Sequence, residues 1–259
     1  MRVTTLGDLL LDVVVRPAGP LATGADQRAE ILVTTGGQAA NVAAWVAELG
    51  MQASFVGNRG ADDAGELTTR ALLGHGVEVL GPVAGRSGVV VSFSSDGDRT
   101  MASDRGSAPE LRSDELDPAW FECDALHLSG YSLHREPMAS AARNAAELAR
   151  GYGARISVDL AVGTAIDEHF RDRLAAIAPD LLFANELERD ALGPFDASWV
   201  VKRGPDGIVV DGEAFPAVAT VVVDTTGAGD ALAGGFLVGG APLALEAAAR
   251  CCAKVGAMP

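Results

Sequence analysis

The chain is poor in cysteine, poor in aromatic side chains and short of basic residues, and each shortage removes a class of function. Its three cysteines, Cys123, Cys251 and Cys252, are odd in number and two are adjacent. That pattern suits neither a disulfide framework nor a Cys/His zinc site. Free thiols in a reducing compartment follow, and a cytoplasmic location is the expectation. Twenty Lys and Arg face 35 Asp and Glu, a formal net charge of −15. This is the wrong sign for gripping a phosphate backbone or an acidic membrane surface, so neither nucleic acid nor membrane is an expected partner. Asp8 and Asp12 interrupt the first apolar run, so no signal peptide is expected. The uncharged stretch 231–245 is Gly-rich, broken by Pro242 and too short to span a bilayer. No GxSxG, GxGxxG or GK[ST] occurs, which leaves hydrolase, dinucleotide and Walker-loop readings without support. The four histidines show no metal spacing, and His127, in an apolar strand-like run, reads as a core residue.

What is present is an ordinary globular balance, 48% hydrophobic over 259 residues, enough for one substantial core. Residues 1–15 open with the composition of a buried strand, and residues 39–49 switch to helical spacing. Strand and helix patterns then alternate: strands at 53–57, 125–129, 155–160, 181–184, 199–202, 207–210 and 220–223, and helices at 62–73, 137–150, 167–177, 227–239 and 243–255. Such alternation predicts a mainly parallel sheet covered on both faces by helices. Residues 13–16, 29–34, 87–94 and 99–103 are also strand-like, the last two joined by hairpin chemistry at 95–98, and are predicted to form a small separate sheet. No repeat or linker divides the chain, so 1–259 is read as a single domain.

The strongest chemical signal is Asp224-Thr225-Thr226-Gly227-Ala228-Gly229-Asp230, where an apolar run should turn into a helix. Glycines there let the backbone approach a ligand, and the first free amides of a helix attract anions. An acidic residue in that first turn would repel a phosphate that merely stayed. It suits instead a base that takes a proton from an attacking hydroxyl. The plainer alternative is a turn followed by good helix-entry chemistry.

Residues 224–230 look like the C-terminal signature of the ribokinase-like (PfkB) carbohydrate kinases, and Gly36-Gly37-Gln38-Ala39-Ala40-Asn41 resembles the N-terminal one. Further matches in family order are Gly7 with Asp12, Gly60-x-Asp62-x-x-Gly65, Asn185-x-x-Glu188, Gly204-x-x-Gly207 and Gly256-Ala257. The resemblance implies a ribokinase-like fold: a mainly parallel central sheet with helices on both faces, plus a β-lid from about 13–35 and 87–104. It implies ATP-dependent phosphorylation of a small sugar, ribose-like by preference, with Asp230 as base and the amides of Gly227, Ala228 and Gly229 as anion hole. Asp12, Gly37 and Asn41 would hold the acceptor. Asn185, Lys202, Gly204 and Gly207 would serve the nucleotide, and Glu188 magnesium. Asp224 and Thr226 match positions that bind a monovalent cation, potassium, in many members. Lids of the family pair between subunits, which implies a homodimer. Arg99 and Arg105, on or just after the hairpin, read as surface charge, with an anionic or polyol substrate as the alternative. A nucleoside acceptor is the rival within the family, although only 5% of the chain is aromatic. From another class, a non-catalytic sugar- or nucleotide-binding sensor is the rival.

Overall fold

Short buried runs between amphipathic helices build two sheets in this computed structural model, which describes residues 1–20, 23–95, 98–160 and 166–259. The chain runs through β1 (Arg2–Leu6), β2 (Leu10–Pro17), β3 (Ala29–Gly36), α1 (Gln38–Glu48), β4 (Gln52–Val56), α2 (Asp63–Gly74), β5 (Glu78–Leu80), β6 (Gly88–Ser95) and β7 (Asp98–Asp104). It continues through β8 (Ala125–Ser129), α3 (Met138–Gly151), β9 (Arg155–Asp159), α4 (Glu168–Ile177), β10 (Leu181–Asn185), α5 (Glu186–Leu192), β11 (Ser198–Lys202), β12 (Ile208–Val210), β13 (Glu213–Phe215) and α6 (Ala228–Cys252).

The large sheet has the order β13-β12-β11-β10-β9-β8-β1-β4-β5. It is parallel from β11 to β5, with an antiparallel hairpin of β12 and β13 at one edge. Its side chains alternate between two layers as strand geometry requires. Leu6, Leu126, Leu128, Ile156, Val158, Leu182 and Ala184 join the core under α3 and α4. Val3, Phe55, Ala125, Leu181, Phe183 and Val200 join the core under α1 and α6. The small sheet, β3-β2-β6-β7, is separate. The hairpin turn expected at Asp96 and Gly97 lies outside the described residues, as does the side chain of Arg99.

Three expectations are corrected. The opening run is two strands in different sheets, because Gly7 and Asp8 break it. Residues 220–223 form no strand: Val221, Val222 and Val223 are exposed, and their segment is tied instead by the Val223 and Asp224 amides to Cys252 O at 2.8 and 3.3 Å. β5 and β13, each three residues long, carry no pattern that the sequence could show. By length and composition α6 would pass as a membrane span, but half of it is buried in the protein and its backbone breaks at Gly239 and Gly240.

Candidate active site

The strand order reverses around β1, which lies between β4 and β8. Ligands in open α/β sheets collect outside the carboxyl ends of strands at such a point. Five strands deliver polar residues there: Asp8 just beyond β1, Ser129 on β8, Asp159 on β9, Asn185 on β10 and Lys202 on β11. Register sets them side by side, Ser129 opposite Asp159 and Asn185 opposite Lys202. The N-termini of α1 and α6 close the cleft, each capped by a glycine. Gly37 has φ 104° and Gly227 φ 77°, both in the left-handed region that favours glycine. A Cβ on Gly227 would also lie 2.5 Å from Ala257 Cα, so only glycine lets the loop pack against the chain's last turn.

Asp230, in the first turn of α6, accepts a 2.6 Å hydrogen bond from Asn41 Nδ2 of α1. Asn41 Oδ1 is buried without a partner among the described residues. Burial raises the Asp230 carboxyl to about 8, with the Asn41 hydrogen bond and Lys202 opposing and the charges of Asp159 and Asp8 adding. Lys202 Nζ lies 2.8 Å from both oxygens of Asp159, which is fully buried. Burial works against the Lys202 charge, but Asp159, Glu188 and Asp230 outweigh it, and its pKa rises. The same ammonium is 3.5 Å from where a Cβ on Gly229 would stand, so it faces the glycine loop. Asp159 went unrecognised in the sequence because nothing in the run Arg155–Asp159 marks its last residue as the partner of a lysine 43 positions away.

The other predicted positions fall as follows. The N–H groups of Gly227 and Gly229 make no backbone hydrogen bond to a described residue, whereas Ala228 N donates to Thr225 O at 3.2 Å. The expected anion hole therefore reduces to two free amides. Asn185 and Glu188 form a reciprocal capping box for α5, with both bonds at 2.8 Å. Glu188 is buried, and that burial raises its pKa against the pull of Lys202. Asp224 Oδ1 accepts from Thr226 N at 2.9 Å and Thr226 Oγ1 at 2.6 Å, and Oδ2 from Gly256 N at 3.1 Å. The first two bonds fix the loop's own turn, and the third ties it to the C-terminal segment.

Two cavities flank this centre. One, about 650 Å³, is mostly apolar and lined by Lys202, Gly204, Gly207, Val222, Leu245 and Cys252, among others. It accounts for the exposure of Val218 and Val222, which line it, whereas Val221 and Val223 face outward. The other, about 750 Å³, is lined by Gly7, Asp8, Arg105, Tyr131, Ser132 and His134, with Arg86 and Arg135 at its wall.

Asp12 is not the buried acid at the end of the first strand. It lies in β2 of the small sheet, half-buried, with its carboxylate against Gly36 at the entry to α1. The buried acid is Asp8, which accepts from Gln38 N at 3.2 Å and pairs with Arg105. Arg105 is thus no surface charge: its guanidinium also stacks 3.5 Å over Tyr131. His127 is fully buried and neutral, its pKa lowered by that burial to about 4. Nδ1 sits 3.0 Å from Ser157 Oγ, but Nε2 has no partner among the described residues.

Free amides of a glycine loop beside a buried carboxylate, with an apolar cavity and a charge-lined one close by, are the arrangement that a phosphotransferase acting on a small hydroxylated molecule requires. The chain belongs to the PfkB family of carbohydrate kinases, whose model matches residues 2–258. It is 33% identical to an ATP-dependent ribose-1-phosphate kinase of Halopiger xanaduensis over 97% of this chain and 90% of that protein. It is 29% identical to a fructokinase of Escherichia coli over 92% and 84%. Among solved structures, adenosine kinase from Sinorhizobium meliloti superposes with a TM-score of 0.87 at 25% identity, covering 99% of this chain and 95% of that one. A sugar kinase from Pyrococcus horikoshii in complex with ATP gives 0.85 at 20% identity over 99% and 95%, a likeness of fold.

Proposed function

We propose that the chain transfers the γ-phosphoryl group of ATP to a hydroxyl of a small, ribose-like sugar, with Asp230 as the base. The observation that carries this reading is the Asp230 carboxylate, raised to about 8 and held by Asn41, in the same helical turn as the free amide of Gly229. The acceptor oxygen bonds to the γ-phosphorus, the bond from that phosphorus to the β–γ bridging oxygen breaks, and ADP leaves. The acceptor's proton passes to Asp230. The amides of Gly227 and Gly229 and the ammonium of Lys202 stabilise the charge on the transferred group, a contribution of about 2.7–4 kcal/mol per well-placed donor. ATP occupies the apolar cavity bounded by Gly204, Gly207 and Val222. Asn41 Oδ1 and Asp12 accept hydrogen bonds from the acceptor, and Gly37 lets it approach the backbone.

Magnesium fits the charge of this centre. Glu188 and Asp230 each feel Asp159, and all three carboxyls act on a single ammonium, which leaves negative charge in excess. No three His, Cys, Asp or Glu side chains among the described residues converge as ligands. That suits an ion completed by phosphate oxygens and water, with Glu188 and Asn185 as its protein contacts. When bound, the ion neutralises charge on the triphosphate. For Asp224 and Thr226 the three hydrogen bonds of the carboxylate favour a loop tie over a potassium site.

Coupled ADP release with Mg-ATP, across sugars and nucleosides and with or without potassium, tests the reading. Acceptor-dependent release is expected, and its absence with every acceptor would favour a sensor. Because the base must be ionised, kcat/KM should fall about tenfold for each pH unit below 8. A profile flat between pH 6 and 8 would contradict that role.

The small sheet serves as the lid in this reading. Its edge strand β3 exposes Ile31, Leu32 and Val33, and β7 exposes Met101. These residues support pairing of lids in a homodimer. Val33→Lys should then shift the mass measured by light scattering from dimer to monomer.

A further inference from the structure

The polar cavity beside β1 carries more positive side chains than a neutral sugar requires. We propose that the acceptor bears an anionic group, a phosphate, seated against Arg105, Arg135 and Arg86. This inference rests on the kinase reading above and names its substrate class. The chain as a whole carries −15 and repels anions, so an anionic acceptor needs a local reversal of sign. The wall of this cavity sets three arginines against two lining carboxylates, Asp8 and Asp104, a small positive balance where the chain as a whole is negative.

Arg105 is the fixed member. Its side chain is only 24% exposed, paired with buried Asp8 and flat on Tyr131. A guanidinium so held keeps donors in its planar fork beyond those given to one carboxylate, and the fork matches a phosphate. Arg86 and Arg135 stand further out, paired with Asp104 and Glu110 at 2.7 Å. All four of those side chains are more than half exposed, so these pairs contribute little and yield readily to a dianion. Ser132 Oγ and His134 Nε2 on the same wall are shielded polar atoms with no partner among the described residues. Both carboxylates on the wall are already engaged, Asp8 by Arg105 and Gln38 N and Asp104 by Arg86 and Gly106 N, which leaves sugar hydroxyls few acceptors there. A nucleoside fits less well still. Tyr131 is the only aromatic ring on the wall besides His134, and the guanidinium covers one of its faces.

The test compares ribose 1-phosphate with ribose, fructose, gluconate and adenosine as acceptors, in the parent and in Arg135→Gln and Arg105→Gln. Arg135 is exposed, so folding is not at stake in its variant. Ribose 1-phosphate should have the highest kcat/KM. Each substitution should cut its ratio to ribose about tenfold, the loss of one charge-assisted contact. Preference for ribose, fructose or adenosine would overturn the proposal, as would ratios unmoved by both variants. Preference for gluconate would overturn the phosphate. If no acceptor turns over, calorimetry separates the two readings: tighter binding of ribose 1-phosphate than of ribose would sink the kinase and leave the anion site standing. Equal or absent binding of both would end the anion site too.

Discussion

Asp230→Asn should lower kcat by about 10²–10⁴-fold, the usual worth of a positioned base, while making the protein more stable. The two effects share one cause. Burial holds the folded-state pKa at about 8, above the ordinary carboxylate value of about 3.9. The folded chain therefore binds this proton more tightly than the unfolded chain does, and between those two values its stability falls as pH rises. Asparagine resembles the protonated carboxyl and escapes that loss. The gain should be negligible near pH 4, grow through neutrality and level off above pH 8. Melts of parent and variant at pH 5 and pH 8 read it directly, at about 2–4 °C for each kcal/mol in a large domain. Near-parental turnover would remove Asp230 as the base. A variant no more stable at pH 8 than its parent would show that burial does not strain the carboxylate.

The parts of the site that come from one stretch of chain were legible in the sequence, and those assembled across strands were not. Gly227, Gly229 and Asp230 stand together because the turn into α6 needs glycine, and the turn is where the amides are free. The nearly parallel sheet followed from strands alternating with helices, and the small sheet from four short runs outside that rhythm. Asp8, Asp159 and Arg105 carry no local signal. Asp8 reads as a charge interrupting an apolar run, and only the reversal of strand order at β1 makes it the floor of a cavity. Asp159 acquires meaning from Lys202 two strands away, and Arg105 from Tyr131 and Asp8 at the ends of β8 and β1.

Periodicity misled where a ligand groove takes the place of a protein partner. Residues 220–223 have the composition of a buried strand, yet Val222 lines the apolar cavity and its neighbours face outward. A run of valines records only that something apolar will lie against it, which can be an adenine-sized ligand as easily as a second strand. The Asn185-x-x-Glu188 spacing has a comparable double meaning. It is a capping box in its own right, and this use explains why both residues are rigid and why Glu188 tolerates burial. A capped, immobile pair at the carboxyl end of β10 is also what a phosphate-bound metal would need as a fixed contact.

Lys202→Met should destabilise the protein by about 3–5 kcal/mol, the cost of leaving one member of a buried ion pair behind. Asp159 has no exposure and receives both of its 2.8 Å side-chain hydrogen bonds from this ammonium, so the variant leaves a buried carboxylate without its partner. Urea midpoints would record the loss. The double variant Lys202→Met, Asp159→Leu separates packing from chemistry. Replacing both members of a buried pair by apolar residues is often neutral, so most of the stability should return. Activity should not return, because the ammonium beside Gly229 is still missing and its stabilisation of the transferred group, about 10²–10³ in kcat, goes with it. A double variant that regains both would make Lys202 a structural counter-ion and nothing more. One that regains stability alone assigns the lysine two functions, holding the end of β9 in place and drawing the phosphate towards the glycine loop.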